Sequence, residues 1–177
     1  MSVPREHLAE HLSLNHEFDD IDAVWASSYV RTMSTAKYFD YRNNLKVNVD
    51  EGLNERIYGI KSWDELPTDF EEHQFLDEDY KLNNGESRKD VTERLYTAFK
   101  EILGSNRNKT IVIVGHSTAA AFLLSKWCDV YYNKPYKFNN KVFFDGKWDY
   151  CETFKLEFDD NDNLNNVENI SEKVKVF

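Results

Sequence analysis

The sequence predicts a three-layer α/β/α sandwich built around a mostly parallel sheet. Three observations carry that prediction. Runs with strand patterning alternate with helical patterns through the middle of the chain, which is how parallel strands are connected. Residues 110–114 (Thr-Ile-Val-Ile-Val) form a β-branched run, as expected of a strand covered on both faces. The 177 residues, 41% hydrophobic and 15% aromatic, hold enough apolar material for one domain with a real core. Residues 1–177 therefore read as a single domain. No internal repeat or low-complexity tract interrupts them, and 6 Gly and 3 Pro leave little for flexible linkers.

Each element has its own signal. Residues 4–14 read as a helix, with Pro4 suited to a first turn and Leu8, Ala9 and Leu12 on one side. Residues 22–28 read as a short buried strand, followed by a helix over 31–39 with Met33, Ala36 and Phe39 facing inward. Residues 45–49 (Leu-Lys-Val-Asn-Val) alternate with period two. Residues 60–84 carry eight acids against Lys61 and Lys81, interrupted by Trp63, Phe70, Phe75 and Tyr80. They read as a partly helical excursion packed on the core. Residues 87–103 give the clearest helix: Ser87 caps it, Val91, Leu95, Ala98, Phe99 and Ile102 form its stripe, and Gly104 ends it. A helix over 119–128 follows the strand at 110–114. Residues 141–145 and 150–158 read as two strands around an Asp145-Gly146 turn, and the Asn/Asp-rich residues 160–177 as a frayed tail.

Charge and composition exclude several classes. With 22 Lys+Arg against 32 Asp+Glu, the net charge of −10 argues against a nucleic-acid binder. The mean hydropathy is −0.70 and no stretch approaches the length of an apolar span, so no membrane partner is expected. The opening Met1-Ser2-Val3-Pro4-Arg5-Glu6-His7 lacks the regions of a secretory leader, and Cys128 and Cys151 are too few for a disulfide framework. A cytoplasmic location is the expectation.

The junction at residues 111–118 is the most informative. A strand runs into Gly115-His116-Ser117-Thr118 and then a helix. Ligands bind beyond the carboxyl ends of strands in open α/β sheets, and a helix N-terminus there suits phosphate. Ser117 and Thr118 fit as caps. A lone histidine is ordinarily structural, but this one has company. Ser27-Ser28 ends the first strand and Arg31 lies one helical turn on, within reach of the same sheet edge. Arg binds phosphoryl oxygens bidentately. After the next strand, Leu53-Asn54-Glu55-Arg56-Ile57-Tyr58-Gly59 places a carboxylate and an arginine in a loop. Three strand exits thus deliver Arg, Glu and His, which together describe a phosphate site with an acid.

These motifs resemble the histidine phosphatase (phosphoglycerate mutase-like) superfamily. Val24-Trp-Ala-Ser-Ser-Tyr-Val-Arg31, with Thr35-Ala36, is similar to its strand–SSP–Arg–TA element. Residues 53–59 resemble its L-N-E-R-x-Y-G element, Asn84-Gly85-Glu86-Ser87 with Val91 and Arg94 its G-E-S helix start, and residues 111–116 the strand bearing its second histidine. The resemblance implies a phosphatase working through a phosphohistidine. Arg31 and His116 would hold the phosphoryl oxygens, and Glu55 would protonate the leaving alcohol and then activate water. Ser28, Arg56, Tyr58, Ser117 and Thr118 would line the substrate site. The implied partner is a small phosphorylated metabolite or inorganic phosphate, with no metal or organic cofactor.

The chain departs from the family pattern in one large respect. The family's nucleophile lies in an R-H-G motif ending its first strand, and this sequence contains no R-H-G. Arg5-Glu6-His7 is the nearest string, and it falls inside a predicted helix. Smaller departures are Tyr29 in place of Pro, and Ser117 where Gly follows the histidine. Three readings follow: a piece of a longer protein that carries R-H-G, a pseudoenzyme that binds phosphorylated ligands or proteins, or a substitute among His7, His11, His16 and His73. The first is preferred because Arg31, Glu55 and His116 are all retained. Without its first central strand, the chain is expected to dimerise, swap strands or rearrange its sheet. Mutase-type phosphoryl transfer is a further alternative, disfavoured by the acids of residues 64–79, which would repel a bisphosphate.

Two other strings read as solvated surface. His7-Leu8-Ala9-Glu10-His11 spells a zinc-peptidase pattern with no third ligand placed by any motif. The run from Asp160 lacks the glycine and glutamate of a calcium loop.

Overall fold

The computed structural model describes residues 3–175, with side chains from residue 6 onward; Met1, Ser2 and the last two residues of the expected tail lie outside them. Helix α1 (Val3–Ser13) buries Ala9 and Leu12 as its spacing predicts. Strand β1 (Ala23–Ala26), helix α2 (Val30–Asn43) and strand β2 (Val47–Val49) follow. The acidic excursion holds one short turn, Trp63–Glu65, and helix α3 (Phe70–Leu76). Helix α4 (Arg88–Ser105) begins at a reciprocal cap between Ser87 and Asp90. It runs through Gly104, the expected stop, to a cap at Asn106, whose side chain bonds the Ile102 carbonyl at 2.8 Å. Strand β3 (Ile111–Val114) leads through Gly115 and His116 into helix α5 (Ser117–Leu124).

The order β2-β1-β3 is parallel throughout, with Val24 opposite both Val47 and Val112. Alternation along the strands sorts their side chains to two faces. Val24, Ala26, Val112 and Val114 pack with Ala36 and Phe39 of α2 and Leu12 of α1. Trp25, Ile111 and Ile113 pack with Val91, Leu95 and Ile102 of α4 and Ala119 and Phe122 of α5. The result is a helix layer, a sheet and a second helix layer. No strand among the described residues pairs with the other edge of β3. Each of its four residues is half-buried, less covered than its apolar run predicts, as suits a strand with a neighbour on one side.

The C-terminal third differs from expectation in two places. Residues 141–145 and 150–158 do not pair. Strand β5 (Lys141–Phe144) pairs with β4 (Tyr136–Phe138), and β6 (Phe154–Phe158) pairs with β7 (Leu164–Asn169). The chain does turn at Gly146, where φ is 88°, but the turn closes no hairpin. The described part of the expected frayed tail, residues 160–175, folds instead into β7 and helix α6 (Ser171–Val174). Leu164, Val167, Ile170 and Val174 are buried, and their apolar area outweighs the polar residues between them. The string from Asp160 becomes the β6–β7 turn: the Asp159 carboxylate accepts the amides of Asn161 and Asn163, each at 2.9 Å, while Asp162 pairs with Lys100 and Arg107 of the α4 end. No helix among the described residues is long and apolar enough to cross a membrane.

Candidate active site

Three loops meet at the C-terminal ends of β1 and β3. The first leaves β1 at Ser27-Ser28 and enters α2, placing Arg31 on its first turn. The second precedes Glu55, and Arg94 of α4 holds it in place. The Arg94 guanidinium bonds the carbonyls of Gly52 and Asn54 at 2.9 and 3.0 Å and grips Glu86 with two bonds of 2.8 and 2.9 Å. The Glu86 carboxylate also accepts the Ile57 amide at 2.9 Å, so one acid and one arginine tie α4 to both ends of the Glu55 turn. The third loop is the Gly115-His116 step into α5, with His116 at the N-cap position.

The Glu55 loop crosses residues 84–87 closely. Gly59 sits at φ 74°, and a Cβ there would lie 2.3 Å from the Gly85 amide nitrogen. A Cβ on Gly85 would in turn strike the Tyr58 carbonyl at 2.6 Å. Both glycines are fixed by this crossing, which links two of the motifs read from the sequence.

His116 is 7% exposed and is held through both ring nitrogens. Nε2 lies 2.8 Å from the Ser27 hydroxyl, and Nδ1 accepts a hydrogen bond from Nε of Arg31 at 3.0 Å. The Arg31 guanidinium also lies over the Tyr29 ring at 4.6 Å, and the Tyr29 ring meets His116 edge-on at 5.1 Å. Burial, then the charges of Arg31 and Arg94, push the His116 pKa down to about 4, so the imidazole is neutral at pH 7. Burial raises the Glu55 carboxyl above its ordinary range, opposed by the Arg56 amide and by the charges of Arg56 and Arg31. The Ala119 amide in the first turn of α5 acts on it in the same opposing sense. Glu55 thus belongs to the same cluster as Arg31 and the start of α5.

The other predicted residues divide. Ser28 is exposed, and its amide and hydroxyl both donate to the Asn54 side chain, at 2.9 and 3.0 Å. Ser117 and Thr118 stand in the first turn of α5 and do not act as side-chain caps, because the chain enters the helix one residue earlier, at His116. Arg56 is 2% exposed. Its guanidinium bonds Gln74 at 2.9 Å, the Tyr58 hydroxyl at 3.0 Å and the Glu71 carboxylate, and it stacks on the Tyr58 ring at 4.6 Å. Arg56 and Tyr58 are therefore joined to α3 and its acids.

Sequence reasoning gave no role to Ser27, Thr32 and Asn54. Ser27 and Thr32 are buried polar groups beside His116, and the signal available was a hydroxyl pair five residues apart across a strand-to-helix step. In the zinc-like string the exposed His7 and Glu10 pair at 3.7 Å, and among the described residues no three His, Cys, Asp or Glu side chains come together to hold a metal. His73 pairs with Asp69 at 3.3 Å and faces Tyr80.

A helix start carrying a histidine, an arginine at the exit of the neighbouring strand and a half-buried acid are thus gathered at one edge of the sheet. Among solved structures, the mycobacterial glucosyl-3-phosphoglycerate phosphatase with inorganic phosphate aligns with a TM-score of 0.62 at 21% identity, covering 72% of this chain and 68% of that one. Bacillus stearothermophilus YhfR aligns at 0.63 and 20% identity, covering 86% and 87%. A phosphoserine phosphatase mutant from Entamoeba histolytica, in complex with phosphoserine, aligns at 0.55 and 22%, covering 67% and 61%. The first five matched structures are spanned over 57–68% of their own length. No curated protein matches the chain. At these identities the likeness shows the fold, and the family rests on the sequence: residues 6–168 match the family model of the histidine phosphatase superfamily, branch 1. The chain belongs to the histidine phosphatase superfamily.

Proposed function

We propose that this chain supplies the phosphate clamp and the acid of a phosphomonoester phosphatase that works through a phosphohistidine. The observation that carries the reading is the Arg31–His116 contact of 3.0 Å, with Glu55 in the same cluster. Arg31, which is exposed, binds equatorial phosphoryl oxygens, and His116 faces the same oxygens from the start of α5. Glu55, raised by burial, holds its proton closer to neutrality than an ordinary carboxyl. A nucleophilic imidazole forms a bond to phosphorus as the phosphorus–oxygen bond to the leaving group breaks, and the departing oxygen takes the Glu55 proton. Water then attacks phosphorus, gives a proton to the Glu55 carboxylate and releases phosphate and free imidazole.

His116 acts in this scheme through Nδ1, which takes up a proton as the phosphoryl dianion binds and then donates it in a hydrogen bond to a phosphoryl oxygen, while Nε2 keeps its own proton on Ser27. The nucleophile belongs to an R-H-G strand, which the sequence lacks, and we propose that such a strand adds to the unpaired edge of β3, whose end leads directly to His116. The substrate is a small phosphorylated metabolite. Repulsion by the acidic excursion weakens as an argument against a bisphosphate, because Glu71 and Asp79 are paired with Arg56 and Lys89. The free thiols Cys128 and Cys151 support a reducing compartment such as the cytoplasm.

A second reading, a non-catalytic module that binds phosphorylated ligands, is favoured by one observation: the polar groups that hold His116 are Ser27 and Arg31. Hydrolysis of an aryl phosphate separates the two. The chain preceded by a strand carrying R-H-G is expected to hydrolyse it, with the rate lost on His116→Ala. A protein so extended that remains inactive while still binding phosphate supports the binding module. Turnover that survives His116→Ala overturns the role given to that residue.

A further inference from the structure

We propose that Ser27 and Thr32 are positioning residues that fix the proton of His116 on Nε2, through a one-way relay of hydroxyls ending at a backbone carbonyl. The argument is a count of protons. The Arg31 Nε–H has no acceptor capacity, so across 3.0 Å it can only donate, and His116 Nδ1 must be the lone-pair nitrogen. A neutral imidazole has one N–H, which is then on Nε2 and donates to the Ser27 oxygen at 2.8 Å. The Ser27 proton turns to the Thr32 hydroxyl at 2.7 Å. The Thr32 proton goes to the Tyr29 carbonyl at 2.7 Å, with the Ser27 carbonyl at 3.1 Å beside it.

Neither end can reverse. A guanidinium only donates and a carbonyl only accepts, so the direction of every bond between them is set from both sides. Burial makes the arrangement stringent. Ser27 is 0% and Thr32 2% exposed, and a hydroxyl turned the wrong way would leave a buried group unpaired. The Tyr29 amide, 3.4 Å from the Ser27 oxygen, adds a second donor aimed at that oxygen and favours the same direction. The sequence places the parts economically: Ser27 directly follows β1, Tyr29 stands at the N-cap of α2 and Thr32 lies on the first turn of α2, so one strand-to-helix step holds the whole relay.

The consequence deepens the phosphatase reading and rests on it. With Nε2 committed to Ser27, the atom His116 offers to a ligand is Nδ1, the nitrogen now covered by Arg31. Arg31 must turn from Nδ1 toward the phosphoryl oxygens, and the relay keeps the imidazole plane and tautomer fixed while it does. The tautomer itself is a property of the free chain and needs neither catalysis nor ligand to be measured.

The test is nitrogen NMR of the His116 ring at neutral pH. In the wild-type chain Nε2 is expected to give a protonated-type signal and Nδ1 an unprotonated-type signal. Ser27→Ala and Thr32→Val are expected to move the two signals toward each other as the tautomers mix, whereas Thr32→Ser, which keeps the hydroxyl, is expected to retain the wild-type pattern. A proton on Nδ1 or on both nitrogens in the wild-type chain overturns the proposal without any variant. So do wild-type signals that persist in folded Ser27→Ala and Thr32→Val. Failure of phosphate to bind, with the Nε2 tautomer observed, would count against the phosphatase reading and leave the relay standing.

Discussion

The Nε of Arg31 lies 3.0 Å from Nδ1 of His116, so a permanent cation rests against the histidine that ends the β3 loop. That one contact draws together a residue of α2 and a residue at the start of α5, 85 positions apart, and it places a guanidinium donor and a titratable ring nitrogen side by side. Burial first, and this contact second, keep the imidazole neutral. A second positive charge on His116 would be buried against the first, with Arg94 acting in the same sense.

This depression of the His116 pKa makes stability depend on pH. The ordinary value is 6.5 and the folded value about 4, so the unfolded chain binds a proton over that window and the folded chain does not. Stability from this group is full above pH 6.5 and is lost as pH falls toward 4, by up to about 3 kcal/mol. Urea denaturation of wild type and His116→Gln between these values is expected to show the steeper loss in wild type.

Glu55 has the opposite sign. Its folded pKa is raised, so the unfolded chain gives up the proton first, and ionisation costs stability as pH rises above the ordinary 4.5. Glu55→Gln is therefore expected to be at least as stable as wild type at pH 7, measured by the denaturation midpoint. In a catalytically competent form the same substitution is expected to slow aryl phosphate hydrolysis by about 100-fold or more.

Arg56 divides a structural role from a substrate role. Arg56→Met keeps most of the side-chain volume but leaves Gln74 and Glu71 without their partner. The expected loss is roughly 2–4 kcal/mol, below the range for a wholly buried pair because Glu71 is 46% exposed. Hydrogen exchange should show α3 opening first. A stable Arg56→Met protein whose phosphate affinity collapses would instead place Arg56 at the substrate.

Much of the site was legible because its motifs are local. Arg31, Glu55 and His116 each follow a strand whose own residues announce it, and parallel α/β sheets gather strand exits at one end. What was not legible depended on distance or on competition. Arg56 reads as a loop arginine until Gln74, 18 positions on, is folded against it. Residues 141–145 and 150–158 look like a hairpin because Asp145-Gly146 is a good turn, yet β5 finds a shorter connection to β4 across Asn139 and Asn140, both at positive φ. The tail reads as frayed by its Asn and Asp content, although Leu164, Val167, Ile170 and Val174 complete two separate parts of the core.

The central claim is that Arg31 and His116 form a phosphate site, and calorimetric titration of the chain with inorganic phosphate tests it most directly. The account predicts saturable binding to one site, weakened about tenfold or more by Arg31→Ala, the loss expected for one charge-assisted hydrogen bond. Absence of binding to the folded wild-type chain, or equal binding by wild type and Arg31→Ala, would contradict it.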